Sequence, residues 1–286
     1  HLLSGMGELH LEINQYRIEK THGVAITASP PIVVYHETIT QESPELEGKS
    51  PNRHNKLLVK VEPIPEEMMQ KLMDNKVKGK VKTKDKEWID KFVNVGMDTD
   101  EAKKVWCIEN YNLLVDGTKG IQALHEIREL VIQGFQEACK SGPLGKEEVH
   151  GIKVTLVDAK LHEDAIHRGP SQIIPVVSRT VYACMLAAKA VLQEPMQLLA
   201  ITTPEDYMGA VTKELQQRRV QITEIKNEGD QVTIIGLAPV KELIGFAQAI
   251  RGAAQGRVIW TAEYHGYQIL PPELQKKTVE EVRKRK

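Results

Sequence analysis

The spacing of apolar residues along the chain predicts a mixture of long helices and alternating strands. The clearest amphipathic pattern spans 121–139, where apolar residues fall on one stripe of a helical surface. A strand is predicted over 149–161, where apolar and polar residues alternate, and it is the expected packing partner of that helix. A second long helix is predicted over 172–193, ended by Glu194 and Pro195. We therefore expect an α+β protein.

The first 29 residues predict a piece of a domain rather than a whole one. A helix over 8–21 and a short strand over 24–28 cannot bury a core by themselves. The chain also opens with His1 instead of Met, so we expect the first half of this domain to lie upstream. The double proline at 30–31 favours an extended linker to the next domain.

The next segment predicts a hairpin with a long polar tip. Strands over 32–40 and 56–61 flank a loop at 41–55 that is rich in Ser, Pro, Glu, Gly and Asn. The lysine-rich stretch 71–91 predicts two short solvated helices. A single strand is then predicted over 106–115.

The last third of the chain predicts the element order βαββαβ, which is typical of a ferredoxin-like domain. A basic tail helix follows over 273–285, and we expect the tail to pack back on the larger preceding domain. These patterns divide the chain into residues 1–29, 30–195, 196–271 and the tail 272–286. The predicted elements of the last domain are strands at 196–202, 220–226, 231–237 and 257–264, with helices at 205–219 and 241–252.

Composition narrows the function classes. The 286 residues include 38 Lys and Arg against 39 Asp and Glu, a net charge of −1, which excludes a uniformly basic nucleic-acid-binding surface and leaves only local RNA contacts. Hydrophobic residues make up 41% and charged residues 27%, as in folded globular proteins. Cys107, Cys139 and Cys184 are odd in number and widely spaced, which argues against disulfides and favours a reducing, cytoplasmic compartment. No apolar run reaches the roughly 20 residues of a membrane span, so no membrane partner is expected.

Enzyme motifs are incomplete. Gly48-Lys49-Ser50 resembles the end of a phosphate-binding loop, but Ser43 occupies the position five residues before Gly48 where that loop needs its first glycine. His150, His162 and His167 lack the spacing of a zinc hydrolase, and no nucleophile elbow occurs. We therefore expect no catalytic residue and no metal ligand. A metal-dependent hydrolase built around these three histidines, and a nucleotide hydrolase, remain the alternative hypotheses.

Two polar segments are candidate binding loops. The segment 164–172 joins a predicted strand to a long helix, and binding residues concentrate in loops of this kind. The segment 50–56 has the same character, with short hydrogen-bond donors and cations. At one end of a domain the two would form a locally positive projection able to bind phosphates, 2′-hydroxyls or unstacked bases. Composition alone leaves this hypothesis open against two ordinary solvated loops. The candidate contact residues are Ser50, Pro51, Asn52, Arg53, His54, Asn55, Lys56, Asp164, Arg168, Gly169 and Gln172.

Five motifs, in order along the whole chain, resemble the C-terminal half of the translation elongation factor two family, the ribosomal translocase GTPases of archaea and eukaryotes. The segment from Leu161 to Gly169 matches the most specific motif of that family. Pro170-Ser171 stands where eukaryotic members usually carry further glycines, so the chain resembles the archaeal variety. The five motifs lie at 4–13, 29–38, 50–55, 161–169 and 251–271.

The resemblance implies a domain assignment. Residues 1–29 would be the incomplete end of domain III, a remnant of a ferredoxin-like domain. Residues 30–195 would be domain IV, with a ribosomal-protein-S5-domain-2-like fold, and residues 196–271 would be a ferredoxin-like domain V. The GTPase domain, with its GTP and Mg²⁺, belongs to the N-terminal half that this chain lacks. The chain alone is therefore expected to have no catalytic activity and no cofactor, although its full-length parent would be a GTPase.

The resemblance also implies what the two loops do. The parent promotes GTP-dependent translocation of tRNA and mRNA on the ribosome, and domain IV reaches the rRNA of the decoding site. The histidine at the position of His167 is converted to diphthamide, which adds a cation and extends its reach. Diphthamide-synthesis enzymes, and toxins that ADP-ribosylate the modified residue, are then further expected partners. A general RNA-binding module unrelated to translocation remains an alternative.

Overall fold

The computed structural model describes residues 2–5, 8–79, 81–82 and 85–285, with Glu8 and Leu9 described by their backbone alone. The described residues form two compact units. The larger unit contains residues 36–193 and 270–285, and the smaller contains residues 2–35 and 194–269. Parts of three predicted segments lie outside the described residues. These are Met6 and Gly7 of the opening motif, Lys80, Thr83 and Lys84 of the lysine-rich stretch, and Lys286 of the tail.

Helices and strands alternate along much of the chain. The helices are α1 (Glu8–His22), α2 (Glu66–Asp74), α3 (Lys86–Asn94), α4 (Thr99–Ala102), α5 (Leu124–Lys140), α6 (Pro170–Ala187), α7 (Met208–Gln217), α8 (Phe246–Ala253) and α9 (Pro272–Arg283). The strands are β1 (His36–Ile39), β2 (Leu46–Lys49), β3 (Lys56–Pro63), β4 (Val105–Glu109), β5 (Asn112–Asp116), β6 (Glu148–Val149), β7 (Ile152–Lys160), β8 (Ala190–Pro204), β9 (Gln221–Glu228), β10 (Gln231–Pro239) and β11 (Ile259–Ile269). Short 3-10 turns lie at Ala165–Arg168, Glu205–Tyr207 and Val240–Leu243. This mixture confirms the predicted α+β class.

The larger unit is built on a sheet with the strand order β2-β3-β7-β5-β4 among the described residues. Strand β7 is antiparallel to β3 and parallel to β5. The interior strand β5 contributes to a core on each face, since Leu114 joins one apolar cluster while Leu113 and Val115 join the other. Helices α5 and α6 cover the first face, and α2 and α3 cover the second. A strand that is buried on both faces favours a continuous run of apolar residues, as found at residues 113–115 of β5.

Helices α5 and α6 pack at close range because of one glycine. A Cβ added to Gly134 on α5 would lie 2.8 Å from the carbonyl oxygen of Ile174 and 2.8 Å from Cβ of Val177, both on α6. The next residue, Phe135, is fully buried in the same core. The predicted amphipathic helix is therefore confirmed, starting at Leu124 rather than at 121.

The predicted hairpin between 32–40 and 56–61 is wrong. Strand β1 pairs with β6 and with the first residues of β8, while the partner of β3 is β2, which lies inside the predicted loop. All four residues of β1 are buried, so this strand takes an interior position, whereas β2 is half-exposed and forms the edge. The polar tip shrinks accordingly to residues 50–55, between β2 and β3.

Two further predictions are corrected by backbone geometry. The single strand predicted over 106–115 is a hairpin of β4 and β5, which turns at Asn110 and Tyr111 through positive φ angles of 49° and 60°. A turn of this type usually signals itself by glycine, which is missing here. The helices predicted to be solvated at 71–91 bury Leu72 and Phe92 completely in the second core.

The helix predicted over 172–193 ends at Ala187, and Glu194-Pro195 lies inside strand β8 instead of closing the helix. Lys189 has a φ of 54°, a conformation that leaves the helix and starts the strand. Proline fits in β8 because β1 pairs only as far as Gln193 and β10 pairs only from Met196 onward. The missing N–H of Pro195 therefore breaks no pair of β8 with β1 or with β10.

The smaller unit follows the predicted order strand, helix, strand, strand, helix, strand. Its strands are arranged β11-β8-β10-β9, and β8 and β9 are both antiparallel to β10. Helices α7 and α8 contribute Val211, Leu215, Phe246 and Ile250 to its core. The helix predicted over 8–21 is confirmed as α1, but residues 24–28 form no strand.

The tail helix α9 belongs to the larger unit. The side chain of Gln275 accepts a hydrogen bond from the backbone N–H of Leu192 at 2.9 Å and donates to the Leu192 carbonyl at 3.0 Å. Val282 is buried, and a Cβ on Gly145 would lie 3.0 Å from it. In the part of the chain that the structure describes, no helix has the length and apolar character to cross a membrane.

Candidate functional site

The β2–β3 hairpin ends in a tight polar turn at residues 50–55. The backbone N–H of Ser50 donates to the Asn55 carbonyl at 2.9 Å, and Arg53 takes a left-handed φ of 61°. The Asn52 carboxamide oxygen accepts from the Ser50 hydroxyl at 2.6 Å and from the His54 N–H at 3.1 Å. Short polar side chains therefore satisfy the backbone of this turn, as Asx turns do elsewhere.

The second loop, residues 161–169, joins β7 to α6 through the 3-10 turn Ala165–Arg168. The Asp164 carboxylate accepts from the Ile166 N–H at 3.1 Å and caps this turn. The Asp164 N–H in turn donates to Nδ1 of His162 at 3.1 Å. Pro170 occupies the first turn of α6, where its missing N–H costs nothing.

One buried asparagine ties the two loops together. Asn55 is fully buried, and its Nδ2 donates to the His167 carbonyl at 2.7 Å while its Oδ1 accepts from the His162 N–H at 3.1 Å. Asn52 Nδ2 donates to the same His167 carbonyl at 3.0 Å, and the Asn52 N–H donates to Oε1 of Gln172 at 2.9 Å. The two predicted loops therefore meet, and we call residues 50–55 and 162–169 together the tip.

The tip brings together three imidazole rings. The ring centroids of His162 and His167 lie 4.4 Å apart, and His54 lies 5.0 Å from His162 and 4.9 Å from His167. We call these three residues the histidine cluster. The contact between His54 and the other two joins distant parts of the sequence, so no local pattern could predict it. His162 is therefore absent from the RNA-contact residues predicted from the sequence.

Three predicted contact residues are buried and serve the fold instead. Ser50 and Asn55 have exposed fractions of 2% and 0%, because their side chains hydrogen-bond within the turn and between the loops. Arg168 is 7% exposed, and its guanidinium pairs with the Glu126 carboxylate on α5 at 2.8 Å. Ser50 and Asn55 therefore use their side chains inside the protein, and Arg168 pairs with α5, so all three help to position the tip.

The exposed surface of the tip differs from the predicted one. Ile166 is 77% exposed, which the sequence analysis did not predict. The charges are also more balanced than expected: Lys56 and Lys49 both pair with Glu47, at 3.2 and 3.7 Å, which leaves Arg53 as the exposed cation of the hairpin turn. The other exposed side chains of the tip are those of Pro51, His54, Glu163, Asp164 and Ala165, while Asn52, His162, His167 and Gly169 are half-buried, as are Lys56 and Gln172 beside it.

The structure gives no support to the hydrolase arrangement considered from the sequence. Within the described ranges, the donor atoms of His162 and His167 do not converge with those of His150, which stacks on His36 instead. Gly48 has a packing role, since an added Cβ would lie 1.8 Å from the Thr180 hydroxyl on α6.

The cysteines are equally unsuited to nucleophilic chemistry. All three are buried, and burial raises the pKa of each thiol, that of Cys107 to about 12. A thiol with a raised pKa holds its proton at neutral pH, and only the thiolate is a good nucleophile.

Comparison with known proteins gives a consistent result. Residues 75–189 match the family model described as elongation factor G, domain IV, and residues 191–278 match the one described as elongation factor G C-terminus. Over its whole length the chain is 50% identical to Elongation factor 2 of Archaeoglobus fulgidus, 51% identical to that of Methanopyrus kandleri and 47% identical to that of Pyrococcus furiosus. The chain covers 39%, 23% and 39% of these three relatives, so it spans well under half of their length.

Proposed function

Because the chain belongs to the elongation factor 2 family, we propose that it is the part of a translational GTPase that contacts tRNA and mRNA while they move through the ribosome. The GTP and Mg²⁺ sites would lie in the rest of the parent protein, and the parent would act in the cytoplasm. In this proposal residues 1–29 end domain III, residues 30–195 form domain IV with a ribosomal-protein-S5-domain-2-like fold, and residues 196–271 form a ferredoxin-like domain V.

The joined tip is the observation that carries this proposal. Asn55 fixes the backbones of both loops from inside, so the exposed Arg53 and His54 are presented on a preorganised support. A tip that meets every codon and anticodon in turn needs donors and a cation that bind phosphates and sugars without reading bases. Arg53, His54 and His167 supply those groups, and the exposed Ile166 adds an apolar surface for an unstacked base.

We further propose that His167 is the residue converted to diphthamide. Its carbonyl is held by Asn52 and Asn55, so the backbone is fixed while the half-buried ring stands beside His54 and His162. The unmodified tip has few unpaired cations, and a quaternary ammonium on His167 would give it a charge that attracts RNA at any pH. The diphthamide-synthesis enzymes, and toxins that ADP-ribosylate diphthamide, are the protein partners that follow from this assignment.

A translocation assay on the full-length factor tests the tip. Arg53→Asn removes the cation but suits the left-handed backbone, since asparagine tolerates positive φ. Losing one charged hydrogen bond of about 1.5–3 kcal/mol to RNA predicts single-round translocation slowed about tenfold or more, with ribosome-dependent GTP hydrolysis retained. Arg53→Lys should restore most of the rate. Lys277→Ala, at an exposed position on α9, is the matched control. Translocation at the parental rate in Arg53→Asn would contradict the role of the tip cation.

Mass spectrometry of protein purified from its native cells tests the modification. The peptide that contains His162 and His167 should carry the added mass of diphthamide, and its fragment ions should assign that mass to His167. The peptide that contains His54 should have its unmodified mass. An ADP-ribosylating toxin with labelled NAD⁺ should then label the native protein and leave His167→Ala unlabelled. An unmodified His167 peptide in native protein would remove this part of the proposal.

A GTP hydrolysis assay of the isolated chain distinguishes the proposed function from the nucleotide hydrolase hypothesis. The isolated chain should hydrolyse GTP no faster than buffer, because its described loops hold no complete phosphate-binding loop. GTP turnover that increases with the concentration of the chain would contradict the proposal that GTP hydrolysis belongs to the rest of the parent protein.

A further inference from the structure

We propose that His36, Glu148 and His150 form a binding site for one divalent transition-metal ion of the zinc class, at the junction of β1 and β6 in the larger unit. The sequence predicts no metal ligand, since zinc-site spacing is missing, and His36 lies more than a hundred positions before the other two residues. In the part of the chain that the structure describes, these residues are the group whose donor atoms converge closely enough for an ion, all within 4.8 Å of one another.

The backbone around the site is held by a buried carboxylate. Glu37, next to His36, is fully buried, and its carboxylate accepts the N–H groups of Leu144 at 2.7 Å, Gly145 at 2.8 Å and Glu147 at 3.1 Å. These three bonds fix the turn that leads into β6. A Cβ on Gly142 would lie 2.4 Å from the same carboxylate, so this turn needs a glycine there.

Strand pairing then sets the ligands side by side. His36 is opposite Glu148 in the parallel pairing of β1 with β6, and the His150 N–H donates to the Glu37 carbonyl at 2.9 Å. The imidazoles of His36 and His150 stack with centroids 3.7 Å apart and planes 13° from parallel. Nε2 of His150 lies 3.9 Å from a carboxylate oxygen of Glu148. The positions of all three ligands therefore depend on hydrogen bonds that do not involve the ion.

The donor set selects the kind of ion. Two imidazole nitrogens and one carboxylate oxygen suit Zn²⁺, Co²⁺ and Ni²⁺, whereas Mg²⁺ and Ca²⁺ prefer oxygen ligands throughout. Tetrahedral bonds of about 2.0–2.2 Å place neighbouring donors about 3.3 Å apart. The two imidazoles must therefore tilt out of their stacked arrangement, and donor atoms that now lie within 4.8 Å of one another must close by up to about 1.5 Å. The Glu148 side chain is 53% exposed and has room for that movement.

The two rings lie on the inner side of the site, since the side chains of His36 and His150 are 7% and 18% exposed. Three protein ligands leave a fourth position open to water on the side of the exposed carboxylate.

Calorimetric titration of the untagged, chelator-washed chain with Zn²⁺ tests the proposal. We expect one ion per chain, and binding weakened at least about tenfold by Glu148→Gln and more strongly by His150→Gln. The Glu148 side chain is 53% exposed and that of His150 is 18% exposed, and circular dichroism would verify that both variants fold. Glu47→Gln is the matched control for an exposed carboxylate. His54→Gln is the matched control for the histidine cluster, the other place where imidazoles gather.

Each result decides the question. Binding that is weakened in both site variants and unchanged in both controls supports the site. The proposal is overturned if no binding heat is measured up to about 100 μM Zn²⁺. That result corresponds to a binding free energy weaker than about −5.5 kcal/mol. Binding that is lost in His54→Gln would assign the ion to the tip, and binding that survives Glu148→Gln would show that the three residues do not act as a ligand set; both contradict the proposal.

Discussion

Asn55 offers the sharpest test of how the tip is built, because one buried carboxamide joins two loops. Its Nδ2 donates to the His167 carbonyl at 2.7 Å and to the Ser50 hydroxyl at 3.2 Å, and its Oδ1 accepts from the His162 N–H at 3.1 Å. Asn55→Ala removes all three bonds. Asn55→Asp keeps the acceptor for His162 and replaces the donor by an oxygen that faces the His167 carbonyl.

The expected losses differ between the two variants. A net contribution of about 1 kcal/mol for each neutral hydrogen bond predicts that Asn55→Ala lowers the free energy of unfolding of the larger unit by about 3 kcal/mol. Asn55→Asp should cost more at pH 7, about 4 kcal/mol, because a buried carboxylate then stands against a carbonyl oxygen. Such an aspartate has a raised pKa in the folded state, so its penalty should shrink as the pH falls and the protonated carboxyl regains a donor.

Urea unfolding followed by tryptophan fluorescence measures these values. In a Trp260→Phe background the remaining tryptophans, Trp88 and Trp106, both lie in the larger unit and report on it alone. Asn94→Ala, at an exposed position on α3, should change the free energy by no more than about 0.5 kcal/mol. A loss below about 1 kcal/mol for Asn55→Ala, or an aspartate variant as stable as the alanine variant at pH 7, would refute the reasoning.

Three further outcomes are expected in the larger unit. In the presence of a chelator, the free energy of unfolding of the larger unit should fall by about 2 kcal/mol for each of His36 and His150 between pH 7.5 and pH 5. The unfolded rings take up protons near pH 6.5, whereas the folded rings, with their lowered pKa values, do not. Urea midpoints that do not move with pH would contradict this. Glu37→Ala leaves three N–H groups without their acceptor and should lower the free energy of unfolding by about 3 kcal/mol in the same urea assay. The control Glu47→Ala, at an exposed position, should lower it by about 0.5 kcal/mol or less. Equal losses in the two variants would argue against the anchoring role of Glu37. Gly134→Val should force α5 away from α6 and lower the thermal midpoint by at least about 4 °C, whereas an unchanged midpoint would mean that the helices can adjust.

Local sequence patterns determined much of the architecture. The apolar stripe of α5 and the strand and helix order of the smaller unit follow from side-chain periodicity, which depends on neighbours a few positions away. The two candidate loops follow from composition, since clusters of Ser, Pro, Asn, Gly and charged residues have no place in a core. The motif from Leu161 to Gly169 predicted a family that the comparisons with relatives confirm.

Tertiary structure alone decided which segments meet. Periodicity says which face of a strand is buried and does not name its partner. Only the structure shows that β3 pairs with β2, while the fully buried β1 pairs with β6 and β8. The same limit hid the burial of Arg168 against Glu126, and the joining of Asn55 to His167, which are 112 positions apart. The stacking of His36 on His150 was equally invisible, because a contact between distant residues leaves no trace in the spacing of either neighbourhood.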